Sequence, residues 1–285
     1  MAAALAGIGD ASSGNVIRSG ARRGQCFLWT TGILVANALI GPALADAGTR
    51  SLASSALNLF GISAFYFVAL LAALVLVRED KEQTSRLDWF VIAVCLVTAL
   101  LPNYTLARFL VSALGVYLIF SSSVATSGRR AGIIVVALGG ALFWGPVMLF
   151  AMGHPVLELD AKLTSWLYGF DRVGNTINFT DGTPGGIIIA PGCSSWHGLS
   201  LAILFWITIQ QWFATTLRAA SFLWLALALL ATIFVNNLRL AALAAYPEQF
   251  EMIHHGYGAT IAGWTTMILV VSICLFGERR AIFPR

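Results

Sequence analysis

The sequence predicts an all-α, polytopic membrane protein of about eight transmembrane helices, with both termini cytoplasmic. Three observations carry this expectation. First, 58% of the 285 residues are hydrophobic and only 11% are charged, whereas a soluble domain carries roughly 25% charged residues to cover its wet surface. Second, the chain divides into eight windows free of Asp, Glu, Lys and Arg, at 27–45, 51–77, 89–107, 109–128, 131–157, 182–217, 219–238 and 252–277. Each holds a helix of the roughly 20 apolar residues that cross a hydrocarbon core about 30 Å thick. Third, with the N-terminus inside, 12 of the 17 Lys and Arg residues fall in inner segments and only Arg50, Arg108, Lys162, Arg172 and Arg239 in outer ones, the bias expected of cytoplasmic loops. The net charge of +4 is scattered between apolar stretches. It is therefore an orientation signal, and a nucleic-acid partner is not expected.

In chain order, residues 1–25 form a cytoplasmic N-terminal tail rich in Ala, Gly and Ser, expected to be mobile. Arg18 to Arg23, followed by an apolar run and Ala43-Leu44-Ala45, resemble a cleavable leader. The run is longer than the 7–15 residues of a leader's core, so a retained first helix is expected. Five helices occupy 26–152, starting near Cys26, Asn58, Leu87, Leu106 and Ala131; only Pro102-Asn103 divides the third from the fourth. Residues 153–192 form an extracytoplasmic loop whose Trp166, Leu167, Tyr168 and Phe170 suit the headgroup level. In 193–285, helices start near Cys193, Ala219 and His255, and a short cytoplasmic C-terminus follows. The cytoplasmic membrane is the expected location and its lipid the expected surroundings.

Of four cysteines, Cys26, Cys95 and Cys274 read as small hydrophobes of the core. Cys193 differs: it follows Pro191-Gly192 and opens a helix on the outer side, where helix-terminal N–H groups and the macrodipole favour a thiolate. His197, four residues on, shares its face as a pairing candidate. Arg239 lies 21 residues after the inner Arg218, about 30 Å of helical rise. It thus reaches the outer boundary, where an arginine marks a functional site. Asn236 is on the same face one turn earlier, placed to orient the guanidinium. His254 and His255 open the last helix, also outside, with Gly256 and Gly258 allowing close backbone approach.

A thiol, a guanidinium and an imidazole at one depth are the parts of acyl transfer: nucleophile, oxyanion partner and proton carrier. Neither a metal nor an organic cofactor is required. Two rivals remain at this level. A transporter or channel would use Arg239 to bind an anionic solute, although transporter sites lie near the midplane and occupy repeat interfaces. A thiol-redox enzyme would want a resolving cysteine near Cys193.

At these residues the chain resembles the exosortase/archaeosortase family of membrane-embedded cysteine proteases and transpeptidases. The similarity rests on Cys193-Ser194-Ser195, Asn236-Asn237-Leu238-Arg239 and His255-Gly256-Tyr257-Gly258, and covers roughly 185–277. Ser195 stands where the family more often has Gly. The resemblance implies Cys193, Arg239 and His255 as catalytic residues, with His255 preferred to His254 because a Gly follows three residues later. Asn236, Ser194, Ser195, Trp196 and His254 are then supporting residues, Trp196 helping to seat the substrate. It also implies the partner: secreted proteins with a C-terminal sorting tail made of a short motif, one transmembrane helix and a basic cluster.

Overall fold

A computed structural model describes residues 22–49, 55, 59–124 and 126–282. Most of the N-terminal tail and Asn58, the expected start of the second helix, lie outside the described residues. The chain is a helical bundle of α1 (Arg23–Thr49), α2 (Ala64–Arg78), α3 (Arg86–Ala99), α4 (Tyr104–Ser121), α5 (Ser127–Gly139), α6 (Gly145–Tyr168), α7 (Ser195–Trp212), α8 (Ala219–Ala245), α9 (Phe250–His254), α10 (Tyr257–Gly277) and α11 (Arg279–Ile282). Among the described residues the expected helix starts fall within a few residues of those observed, and side-chain N-caps fix four of them. Ser85, Asn103, Thr126 and Ser194 each accept a backbone N–H of the first turn that follows.

Among the described residues five helical stretches are long and apolar enough to cross a membrane: 23–48, 104–121, 127–168, 219–245 and 257–277. α2 and α3, of 15 and 14 residues, rise only about 20 Å each. Phe120, Phe150, Trp166 and Leu100 stand outward on the surface, where water would be a poor solvent for them.

The largest departure from expectation is the presumed outer loop. The helix does not stop at Gly153: a π-turn over Gly140–Trp144 joins α5 to α6, and α6 continues to Tyr168. Backbone angles at Met152 break the regular helix just before Gly153-His154-Pro155. Pro155 therefore sits in the first turn of a restarted helix, where its missing N–H costs nothing. Gly169 closes α6 with φ +72°, a left-handed conformation open to glycine.

Next comes a small antiparallel sheet that an all-α expectation omits: β1 (Arg172–Val173), β2 (Thr176–Asn178) and β3 (Gly186–Ile188), in that spatial order. Ile177, Ile187 and Ile189 point inward against Leu157 and Ala161 of α6 and Leu240, Leu243 and Ala244 of α8. This second core, separate from that of the main bundle, encloses Cys193.

At the opposite end of the bundle Arg23 is 1% exposed. It donates to Asp80 at 2.8 Å, Asp88 at 3.1 Å, Glu82 at 3.4 Å and Ser122 at 2.9 Å, and also to Ser121. One guanidinium thus ties α1 to the α2–α3 connection and to the end of α4. α4 and α5 approach closely at Gly115, Gly132 and Gly139; a Cβ on Gly115 would fall 2.5 Å from the Val136 nitrogen. Small residues permit such backbone approach between apolar helices.

Candidate active site

The chain entering α7 turns once as a 3-10 helix over Pro191–Cys193, with Cys193 N–H donating to the Ala190 carbonyl at 2.9 Å. Ser194 is the N-cap and Ser195 the first residue of α7. Cys193 therefore precedes the helix, and its thiol is not in the first turn as the sequence suggests. A side chain from elsewhere meets it instead: Cys193 Sγ lies 2.9 Å from His254 Nε2, across 61 residues of sequence.

His254 ends α9. Its ring stacks on Phe250, with centroids 4.9 Å apart and planes 11° from parallel, and its Nδ1 is 2.9 Å from His255 Nε2. Burial, assisted by the neighbouring His255 and the Arg239 charge, holds the His254 pKa below that of an ordinary histidine, with Glu251 acting the other way. Neutral imidazole, the form that accepts a proton, is thus favoured near neutral pH.

Arg239, near the end of α8, donates from Nη2 to the His254 carbonyl at 3.2 Å. Its Nε is buried with no hydrogen-bond partner. The Arg239 side chain lines a cavity of about 460 Å³ together with Ser194, Ser195, Asn236 and His255. Leu201, Val235 and Met267 continue that cavity along α7, α8 and α10. A guanidinium with a spare buried donor at such a wall suits a developing oxyanion.

The expected residues therefore gather at one end of the bundle, with four changes of role. His254, not His255, touches the sulfur; His255 stands one ring further out. Asn236 does not hold Arg239: its amide donates to the Cys193 carbonyl at 2.9 Å and to Ser195 Oγ at 3.3 Å, fixing the backbone at Cys193. Trp196 donates through Nε1 to the Gly145 carbonyl at 2.9 Å, anchoring α7 to α6. His197 lines the cavity without joining the sulfur contact.

One residue escaped the sequence reading. Asp160 of α6 is buried and accepts from Ser194 Oγ at 2.6 Å, from Ser195 N–H at 3.0 Å and from Ser195 Oγ at 2.6 Å. It clamps the turn that carries Cys193. The signal was present: Leu157, Asp160, Ala161 and Thr164 form one buried stripe at helical spacing. That stripe is legible only if the helix is allowed to run through Pro155. Thr164 adds a 2.6 Å bond to the fully buried Asn237 of α8.

Among the described residues no three His, Cys, Asp or Glu side chains converge as metal ligands would. The chain matches no protein-family model, no curated protein and no solved structure.

Proposed function

We propose that this chain is a membrane-embedded cysteine peptidase or transpeptidase. Its substrates are secreted proteins with a C-terminal sorting tail, cut at the outer interface of the cytoplasmic membrane. The observation that carries the reading is the 2.9 Å contact between Cys193 Sγ and His254 Nε2 beside Arg239. A nucleophile within hydrogen-bond reach of a base, itself oriented by a further group, is the recurring arrangement of covalent acyl transfer. A solute-binding Arg239 would give the sulfur–imidazole pair no purpose.

In this scheme His254 Nε2 takes the Cys193 thiol proton as the sulfur attacks the scissile carbonyl carbon. The carbonyl oxygen, now negative, is met by the Arg239 guanidinium. The C–N bond breaks as His254 returns the proton to the leaving amine, and a thioester remains on Cys193. Water or an acceptor amine, deprotonated by His254, then releases the product and the thiol. Asp160 and Asn236 hold the Cys193 turn still through these steps, which matters because small misplacements of reacting groups are costly in rate. The distribution of Lys and Arg supports eight spans with both termini inside, which sets this end of the bundle outward.

The test is processing of a tagged sorting-tail substrate in membranes. Cys193→Ala and His254→Ala are expected to abolish it at unchanged protein level, with a thioester adduct trapped on Cys193 of the wild type. Normal processing by Cys193→Ala refutes the reading.

A further inference from the structure

We propose that His255 is a positioning residue, the third member of a Cys193–His254–His255 proton relay in which a second imidazole takes the place a carboxylate usually fills. The inference rests on Cys193 being the nucleophile.

The geometry that carries it is edge-on. The two imidazole planes stand 82° apart with centroids 4.1 Å from each other, and His254 Nδ1 is 2.9 Å from His255 Nε2. The backbone enforces this arrangement of neighbouring rings. The N–H groups of His255 and Gly256 both donate to the Glu251 carbonyl at 3.0 Å, closing α9. The chain then reverses so tightly into α10 that a Cβ on Gly256 would lie 2.8 Å from the Met252 oxygen, and one on Gly258 2.6 Å from the Ile253 Cα. Phe250 and the Arg239 bond to the His254 carbonyl fix the other side of the pair.

Proton bookkeeping assigns the roles. For His254 Nε2 to accept from the thiol, its Nδ1 must carry hydrogen, and that hydrogen needs an acceptor. The groups facing the pair are Cys193, Arg239 from α8 and Glu251 on α9 itself, while Asp46 of α1 and His197 of α7 share the cavity wall with His255. Asp160 is engaged by Ser194 and Ser195. The acceptor within reach is His255 Nε2, its own hydrogen being on Nδ1. When the thiol proton reaches His254 Nε2, the Nδ1 proton shifts to His255 Nε2, and the positive charge is shared with a ring exposed at the cavity. As His254 protonates the leaving amine from Nε2, the proton on His255 Nε2 returns to His254 Nδ1 and both rings end neutral.

The experiment is the rate of iodoacetamide alkylation of Cys193 in intact membranes, followed by mass spectrometry of its peptide across pH about 5 to 9, the span in which imidazole titrates. Wild type is expected to gain reactivity over the range in which imidazole loses its proton. His254→Ala should keep only the alkaline rise. His255→Phe is expected to lower the near-neutral plateau about tenfold, the effect of losing one hydrogen bond to a charged ring. His255→Gln, whose side-chain oxygen can take the place of Nε2, should restore it to within about threefold. A His255→Phe profile that superimposes on wild type overturns the relay and leaves the peptidase reading standing. A wild-type profile identical to that of His254→Ala overturns both. The expected profiles combined with no cleavage of any sorting-tail substrate keep the relay and reject the substrate class.

Discussion

Asp160 offers the sharpest test of how the site is held together, because it does not touch the Cys193 sulfur and yet braces the turn of this proposed nucleophile. Asp160→Ala removes the acceptor of three hydrogen bonds of 2.6, 3.0 and 2.6 Å. The two serine hydroxyls can rotate to other acceptors. The Ser195 N–H cannot, since the first residues of a helix have no intrahelical acceptor and the Ser194 hydroxyl already serves Trp196. A stranded buried donor costs about 1–3 kcal/mol, and bonds to a charged acceptor about 1.5–3 kcal/mol each. With partial recovery by the hydroxyls, a net loss of about 2–4 kcal/mol falls on the turn that aligns Cys193 with His254. At about 1.4 kcal/mol per decade this is roughly a 30- to 1000-fold drop in the rate of acyl-enzyme formation. Asp160→Asn keeps one acceptor oxygen for the N–H and should lose about fivefold, or roughly 1 kcal/mol. The assay is single-turnover cleavage of the sorting-tail substrate in membranes, with the variants matched by quantitative immunoblot. Asp160→Ala at the wild-type rate would refute the clamp, and so would equal losses in the Ala and Asn variants.

Two further outcomes follow from single side chains. Arg239→Lys should lower kcat at least about tenfold and Arg239→Gln about 100-fold, with KM little changed, because an ammonium lacks the fork that reaches both the His254 carbonyl and a developing oxyanion; equal turnover by the lysine variant would reduce Arg239 to a mere charge. At the other end of the bundle, Arg23→Met strands Asp80 and Asp88 without their cation, a change worth about 3–5 kcal/mol. It should sharply lower the temperature at which the detergent-solubilised protein aggregates, and adding Asp80→Asn with Asp88→Asn should recover most of the loss; unchanged thermal behaviour of the single variant would show that the cluster is not a support.

How far the sequence reveals this molecule depends on the range of the force involved. Helix positions were legible because charge-free windows and breaker residues mark them within a few residues. That is why Ala219 was placed correctly and Pro102-Asn103 recognised as a break. The expected loop at 153 is helix instead, because the backbone restarts at Met152 and places Pro155 in a first turn, where proline opens a helix rather than breaking it. The sheet from Arg172 to Ile188 was hidden because its strands are two or three residues long, too short for an alternating pattern to register. Asn236 and Arg239 do share a face of α8, but sharing a face does not decide which neighbour a side chain chooses, and Asn236 reaches the Cys193 carbonyl.

The amino-acid sequence alone determined that this chain is a bundle of apolar helices and that a thiol, a guanidinium and two imidazoles crowd one end of it. Composition and charge spacing act locally and survive without a fold. Only the tertiary structure decided which imidazole meets the sulfur and that Asp160 secures the turn beside it. Those choices depend on the tight reversal at Gly256 and on α6 running past Pro155 to pack under α7. Both set side-chain directions between segments far apart in sequence, where spacing along one helix carries no information.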